Sequence, residues 1–378
     1  MTNTLTATPL GAPTPIDARS IERELNALWQ ETTDNKSPDQ RHQVSRTRVL
    51  NLIVVTRSAA AAERATEVAA KLTLRHPHRA IVVNALPQDP GDSLEAWVQA
   101  HCLLPIHGRP RVCGEQITIV ARGPAVERVP NTLLPLLVPD VPVMLWWMAG
   151  APFDDLRFAK FGDLIDRVVV DSATFDAPET TLAKMAALTA QGTRISDLSW
   201  SRLTPWRELA AQFFDAPAQV PHLYELTSVT VDYEAQVAPG DRSQALLLVG
   251  WLAARLGWQV AAPLTSDRGN STVQLKRTDG SLVQVTLRPA PMQDDALDRL
   301  AMLTLTSPQA TFSVARDPAP DCAMTRAEVA GMSPLERRVR LEQLDEAGLL
   351  SEELRLLGQD ITYAGAVRMA AALLGATE

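Results

Sequence analysis

The stretch VLNLIVVTRSAAAAERATEVAAKLTLRHPHRAIVVNAL, Val49–Leu86, decides the fold class. It opens on Val49–Val55, a short and almost continuous apolar run, the composition of a strand covered on both faces. Ala59–Leu74 then reads as a helix and Ala80–Leu86 as a second buried strand. Strand, helix and strand at this spacing make a parallel βαβ unit. The alternation continues outward: Gln116–Gly123, Pro142–Trp147 and Asp166–Ser172 read as strands, and Pro178–Leu188 as a helix. Val126–Val138 is a proline-interrupted helical pattern, and Ser93–Leu104 is also expected to be helical. Upstream, Asp17 is placed to cap a helix with Ile21, Leu25, Leu28 and Trp29 on one face.

The texture changes after Asp215, where APAQVPHL carries two prolines and no periodic pattern. Tyr224–Tyr233 alternates like a strand with one wet face. Ser243–Leu256 is apolar on nearly every side, which predicts a buried helix. Four strand candidates follow, STVQLKR, LVQVTLRP, LAMLTLT and ATFSVAR, the first two joined at Asp279-Gly280, a hairpin signal. Helical patterns are expected from Pro334 to about Gly348 and from Tyr363 to Leu374. The reading is therefore an α/β chain: an N-terminal mostly parallel sheet flanked by helices, then a smaller α+β domain with an antiparallel sheet and C-terminal helices. The expected boundaries are a flexible tail over 1–15, the α/β domain over 16–216, the α+β domain over 222–316 and a helical segment over 317–378.

Composition narrows the function. The chain has 378 residues, 46% hydrophobic and 21% charged, the balance of a protein that buries real cores. Its net charge of −8 lacks the basic footprint that nucleic acid or an anionic membrane surface demands. No apolar run approaches the roughly 20 residues of a membrane helix, the N-terminus reads as no signal peptide, and a cytoplasmic location is expected. Three scattered cysteines build no disulfide framework and fit a reducing compartment.

The motifs of common catalysis are missing. No GxGxxG follows a strand, no GxxxxGK[ST] cradles a phosphate, and neither GxSxG nor HExxH nor CxxC occurs. No catalytic residue, cofactor site or metal site is expected. His76-Pro77-His78 reads as a solvated turn, and Cys102 and Cys113 as small apolar residues. The dense signal is aromatic and basic. Trp146 and Trp147 are consecutive on a strand and so point to opposite faces. In DLSWSRLTPWRELAAQFFD, Asp197–Asp215, Thr204 reads as an N-cap with Pro205 at the first helical position. Tryptophan and arginine are enriched in interface hot spots, which makes Trp147, Trp200, Arg202, Trp206 and Arg207 the candidate partner contacts. The competing reading packs the tryptophans between helix and sheet, with the arginines paired to Asp197 or Glu208.

Five blocks carry a resemblance: LLVPDVPVMLWWMAGAP (Leu136–Pro152), DRVVVDSATF (Asp166–Phe175), DLSWSRLTPWRELAAQFFD, ALLLVGWLAARLGW (Ala245–Trp258) and LRLLGQDITYAGAV (Leu354–Val367). In this order the chain resembles the OpcA family, the glucose-6-phosphate dehydrogenase assembly proteins, from about Arg46 to the C-terminus. The resemblance implies a non-catalytic protein partner of glucose-6-phosphate dehydrogenase that raises its activity or substrate affinity in the oxidative pentose phosphate pathway. It brings no catalytic residues with it. The alternative is an enzyme or sensor that binds a sugar phosphate or nucleotide in the α/β domain.

Overall fold

The structure is a computed structural model that describes residues 10–15, 20–27, 44–45, 48–73, 75–102, 111–235, 241–267, 269–291, 300–319, 321–356 and 358–375. Its strands are β1 (Leu10–Pro15), β2 (Val44–Ser45), β3 (Leu50–Thr56), β4 (His78–Leu86), β5 (Ser93–Cys102), β6 (Arg111–Arg122), β7 (Val143–Trp147), β8 (Arg167–Val170) and β9 (Ile195–Asp197). Eight more follow: β10 (Ser228–Glu234), β11 (Gln259–Asp267), β12 (Asn270–Lys276), β13 (Leu282–Ala290), β14 (Leu300–Ser307), β15 (Ala310–Arg316), β16 (Cys322–Val329) and β17 (Leu335–Arg340). The helices used below are α1 (Ala59–Leu72), α2 (Pro178–Ala190), α3 (Leu198–Arg202), α4 (Thr204–Gln212), α5 (Ser243–Leu256), α6 (Glu346–Glu353) and α7 (Ile361–Leu373). They group into two compact units, one of Met1–Val170 with Asp345–Leu357, the other of Asp171–Leu344 with Gly358–Glu378.

The first unit is built on the βαβ stretch. Its strands run in the order β1-β5-β6-β4-β3-β7-β8, with β2 added to β6. From β6 to β8 every neighbouring pair is parallel. Leu52 at the centre lies opposite Ala80 on one side and Met144 on the other, and all of β3 is buried. Taken in chain order, β6-β4-β3-β7-β8 is a 3-2-1-4-5 sheet, the doubly wound arrangement. Ser58 accepts a hydrogen bond from the Ala61 amide and starts α1, which packs Ala65, Val68, Ala69 and Leu72 inward. The short helix α6 belongs to this unit through Lys71–Asp345 (2.9 Å) and Arg64–Glu346 (3.2 Å).

The second unit holds an eight-stranded sheet ordered β11-β12-β13-β10-β14-β15-β16-β17. All neighbours are antiparallel except β10 and β13. The Asp279-Gly280 hairpin forms as the sequence predicts, with Gly280 at φ +87°. Ten of the fourteen residues of α5 are buried. It packs on α7 with the backbones close, since a side chain at Gly250 would press into the Ala366 carbonyl.

Several expectations are corrected. Ser93–Cys102 is strand β5, antiparallel to β6 over its whole length from Ser93↔Arg122 to Cys102↔Cys113. Residues 335–340, read as helical, form β17 by backbone pairing with β16. Residues 10–15, read as tail, pair with β5. Thr204 is the first helical residue of α4 and not its cap, because Leu203 keeps helical dihedrals between α3 and α4. The units divide at 170/171 where a boundary near 216 was expected, because α2 packs with α5 and α7. Residues 20–27 are helical with Ile21 and Leu25 buried, while Asp17, Leu28 and Trp29 lie outside the described residues.

Candidate functional site

Four of the five candidate contacts come together in the second unit. Trp200 is 2% exposed, and its indole Nε1 donates to Asp360 Oδ2 at 2.9 Å. Its ring also meets Tyr363 at 5.7 Å, and the Arg207 guanidinium lies 3.5 Å over its face, a cation–π stack. Arg207 further donates to Thr204 Oγ1 at 2.8 Å. Trp206 is completely enclosed. The indoles are thus held in the core of the isolated chain, and the half-buried guanidinium of Arg207 forms the outer layer over Trp200.

Arg202 pairs with neither Asp197 nor Glu208 but with Asp171, through two parallel hydrogen bonds of 2.7 Å. This bidentate geometry is the strongest form of the pair. Asp197 has a different task. Its Oδ1 accepts from the amides of Ser172 and Ser199, both at 3.0 Å, and so caps α3. Its Oδ2 is buried with no hydrogen-bond partner. Burial pushes its carboxyl up to about 7; the Ser172 and Ser199 hydrogen bonds oppose the shift and the Asp171 charge adds to it. Ser199 links the two acids, its amide donating to Asp197 Oδ1 and its Oγ to Asp171 Oδ1 at 3.4 Å. Asp360 and Tyr363, which anchor Trp200, escaped the residue-by-residue reading although they lie in the quoted block GQDITYAGAV.

Trp147 belongs to the first unit. It is 4% exposed and meets Phe158 and Phe161 edge-on, with ring centroids at 5.6 and 6.3 Å. It lines a narrow, mostly apolar cleft at the carboxyl ends of β3, β4 and β7, together with Val55, Val83, Val129 and Phe161. Open α/β sheets hold ligands at such strand ends. Here the turn after β3 is Thr56-Arg57-Ser58-Ala59, without glycine, and Arg57 is tied to Asp155 at 2.9 Å. The histidine turn is buried and not solvated. His78 starts β4 and holds the His76 carbonyl at 2.6 Å, while His76 Nε2 meets Ser351 Oγ at 3.0 Å. Burial lowers His78 to about 4. No group of three metal-ligating side chains occurs among the described residues. Cys322 is a part-exposed free thiol, and the side chains of Cys102 and Cys113 lie outside the described residues.

A doubly wound parallel sheet and a broad, mostly antiparallel one define a two-sheet α/β protein. The chain is similar, over 87% of its length and 97% of the other, to a mutant of KijD10, a 3-ketoreductase from Actinomadura kijaniata. The TM-score is 0.50 at 11% identity, a likeness of fold alone. Family models go further: the glucose-6-phosphate dehydrogenase subunit N-terminal domain matches residues 69–187, and its C-terminal domain matches residues 193–367. The chain belongs to the OpcA family of glucose-6-phosphate dehydrogenase assembly proteins. It is 32% identical over 255 residues to the OxPP cycle protein OpcA of Nostoc punctiforme, covering 64% of this chain and 53% of that one. Against the OpcA of Synechococcus elongatus it is 29% identical over 304 residues, covering 75% of this chain and 65% of that one. The chain spans about half the length of the curated relatives it matches. Among the described residues no helix is long and apolar enough to cross a membrane.

Proposed function

We propose that the chain is a non-catalytic partner of glucose-6-phosphate dehydrogenase, binding it protein to protein and raising its activity or its affinity for substrate. The observation that carries this reading is the match of two consecutive family models, both named for a subunit of that enzyme, along most of the chain. The turn after β3 supports it, since a glycine-free turn with Arg57 held by Asp155 offers a poor backbone cradle for a phosphate. Arg207, half-buried over Trp200, is the candidate contact best placed to be shared with a partner, with Arg202 beside it in sequence. A partner shifts an enzyme's equilibrium only by preferring one of its states, so this chain must bind the substrate-competent state more tightly. Dehydrogenase activity measured against glucose 6-phosphate concentration, with and without the chain, tests the reading. A lower half-saturation or a higher plateau is expected, and superimposable curves would refute it.

The doubly wound order of the first sheet favours a second reading, a sensor that binds a sugar phosphate or nucleotide at the strand ends of that unit. Thermal shift of the chain with glucose 6-phosphate, 6-phosphogluconate, NADP and ATP separates the two. Stabilisation by any of them supports the sensor.

A further inference from the structure

The sheet of the second unit buries one face and leaves the other open. Val229, Val231, Val273, Val285, Leu305 and Phe312 point to the buried face, each at most 3% exposed. Phe213 and Phe214 close on Phe312 from that side. Alternate residues point the other way, and the strand registers align them into rows across the sheet. Thr265, Thr272, Thr286, Thr230, Thr304 and Ser313 are successive cross-strand partners over six strands. Beside them runs a second row, Gln284, Ser228, Thr306 and Thr311. All of these side chains keep part of their surface in solvent.

Charge is nearly absent from the middle of this face. Asp232 and Arg288 neutralise each other at 2.6 Å, Lys276 stands at the end of β12, and toward the β17 edge Arg326 pairs with Glu328 and Arg338 with Asp317. We propose that the open face is the contact between two copies of this chain, packed sheet on sheet about a two-fold axis between β10 and β14.

Three features select a second copy as the occupant. The first is size: the whole face, its charged strands β16 and β17 and the row of Asp232 and Arg288 included, has eight strands about 4.8 Å apart and three rows about 6.8 Å apart, roughly 800 Å², the share each partner gives to a standard interface. The second is chemistry. A hydroxyl both donates and accepts, so a face of serine and threonine can satisfy an identical face, whereas a charged partner would find no counter-ions in its centre. These short side chains also lose little rotamer freedom on burial. The third is symmetry: the midpoint of the strand order falls between β10 and β14, so Thr230 of one copy lies over Thr304 of the other.

Sedimentation equilibrium of the full chain, from micromolar to tenth-millimolar concentration, tests this. The chain should be dimeric, and Thr230→Lys with Thr304→Lys should make it monomeric with an unchanged circular dichroism spectrum. If that variant fails to fold, Ser313→Lys alone, away from the axis, should weaken the dimer at least about tenfold. A chain that is monomeric throughout, or a dimer indifferent to these substitutions, overturns the proposal. So does a monomer whose lysine variants lose glucose-6-phosphate dehydrogenase instead; in that case the functional reading stands and the face belongs to the enzyme.

Discussion

Asp197 answers two demands at once, because it caps α3 and yet carries an ionisable group where no water reaches. Its carboxyl, pushed up to about 7 by burial, holds its proton in the folded chain through a range where the unfolded chain has released it. Its contribution to stability is therefore complete below about pH 4 and is lost as pH rises through 7. Asp197→Asn keeps a capping oxygen and removes the charge. It should gain on the order of 1 kcal/mol or more at pH 8, with the gain vanishing near pH 4, read from urea denaturation across pH. The neighbouring arginines should divide sharply. Arg202→Ala leaves Asp171 buried without its counter-charge and should cost about 3 kcal/mol or more. Arg207→Ala gives up a cation–π stack and the hydrogen bond to Thr204 from a half-buried side chain and should cost about 1 kcal/mol. Thermal unfolding of both variants checks the contrast. Only Arg207→Ala then serves as a clean probe of partner binding. The sequence showed that tryptophan and arginine cluster here, but a core stack and an exposed hot spot leave the same local signature. What separates them is Asp360, which lies 160 residues from Trp200.

At the scale of elements, α5 and α7 bring their backbones close together. A Cβ at Gly250 would collide with the Ala366 carbonyl, a backbone atom that cannot turn aside, whereas at Gly365 it would meet only the Ala254 Cβ at 3.3 Å. Gly250→Ala should therefore destabilise by about 1–3 kcal/mol despite the better helix propensity of alanine, and Gly365→Ala by clearly less. Denaturant midpoints of the two variants decide it. The elements that were legible share a reason. Val49–Val55 and Ala80–Leu86 are too short and too apolar to be anything but central strands, and Ser243–Leu256 is long enough to be a buried helix. Ser93–Cys102 was not legible, because Leu94, Trp97, Val98 and His101 share a helical face as readily as Ala96, Val98 and Ala100 share a strand face. Pairing with β6 along ten residues settles the tie, and that pairing is not local. The run LERRVR, Leu335–Arg340, has helical propensity and almost no burial, and backbone pairing to β16 makes it an edge strand. Its arginines suit such an edge, since charge discourages further strand addition.

For the whole molecule, two units of different build carry one family identity, and the candidate contacts in the second unit are anchored from the C-terminal helix through Asp360. The proposed action on glucose-6-phosphate dehydrogenase is a linkage between two binding events. If the chain prefers the substrate-competent enzyme, glucose 6-phosphate must tighten the protein complex by the same factor by which the complex tightens glucose 6-phosphate. An effect on assembly or turnover alone would leave the two affinities independent. The most direct test is a calorimetric titration of this chain into glucose-6-phosphate dehydrogenase, without and then with saturating glucose 6-phosphate. A saturable complex, tightened by the substrate, is the result expected from an affinity mechanism; no binding heat and no complex under either condition would contradict the proposed partnership.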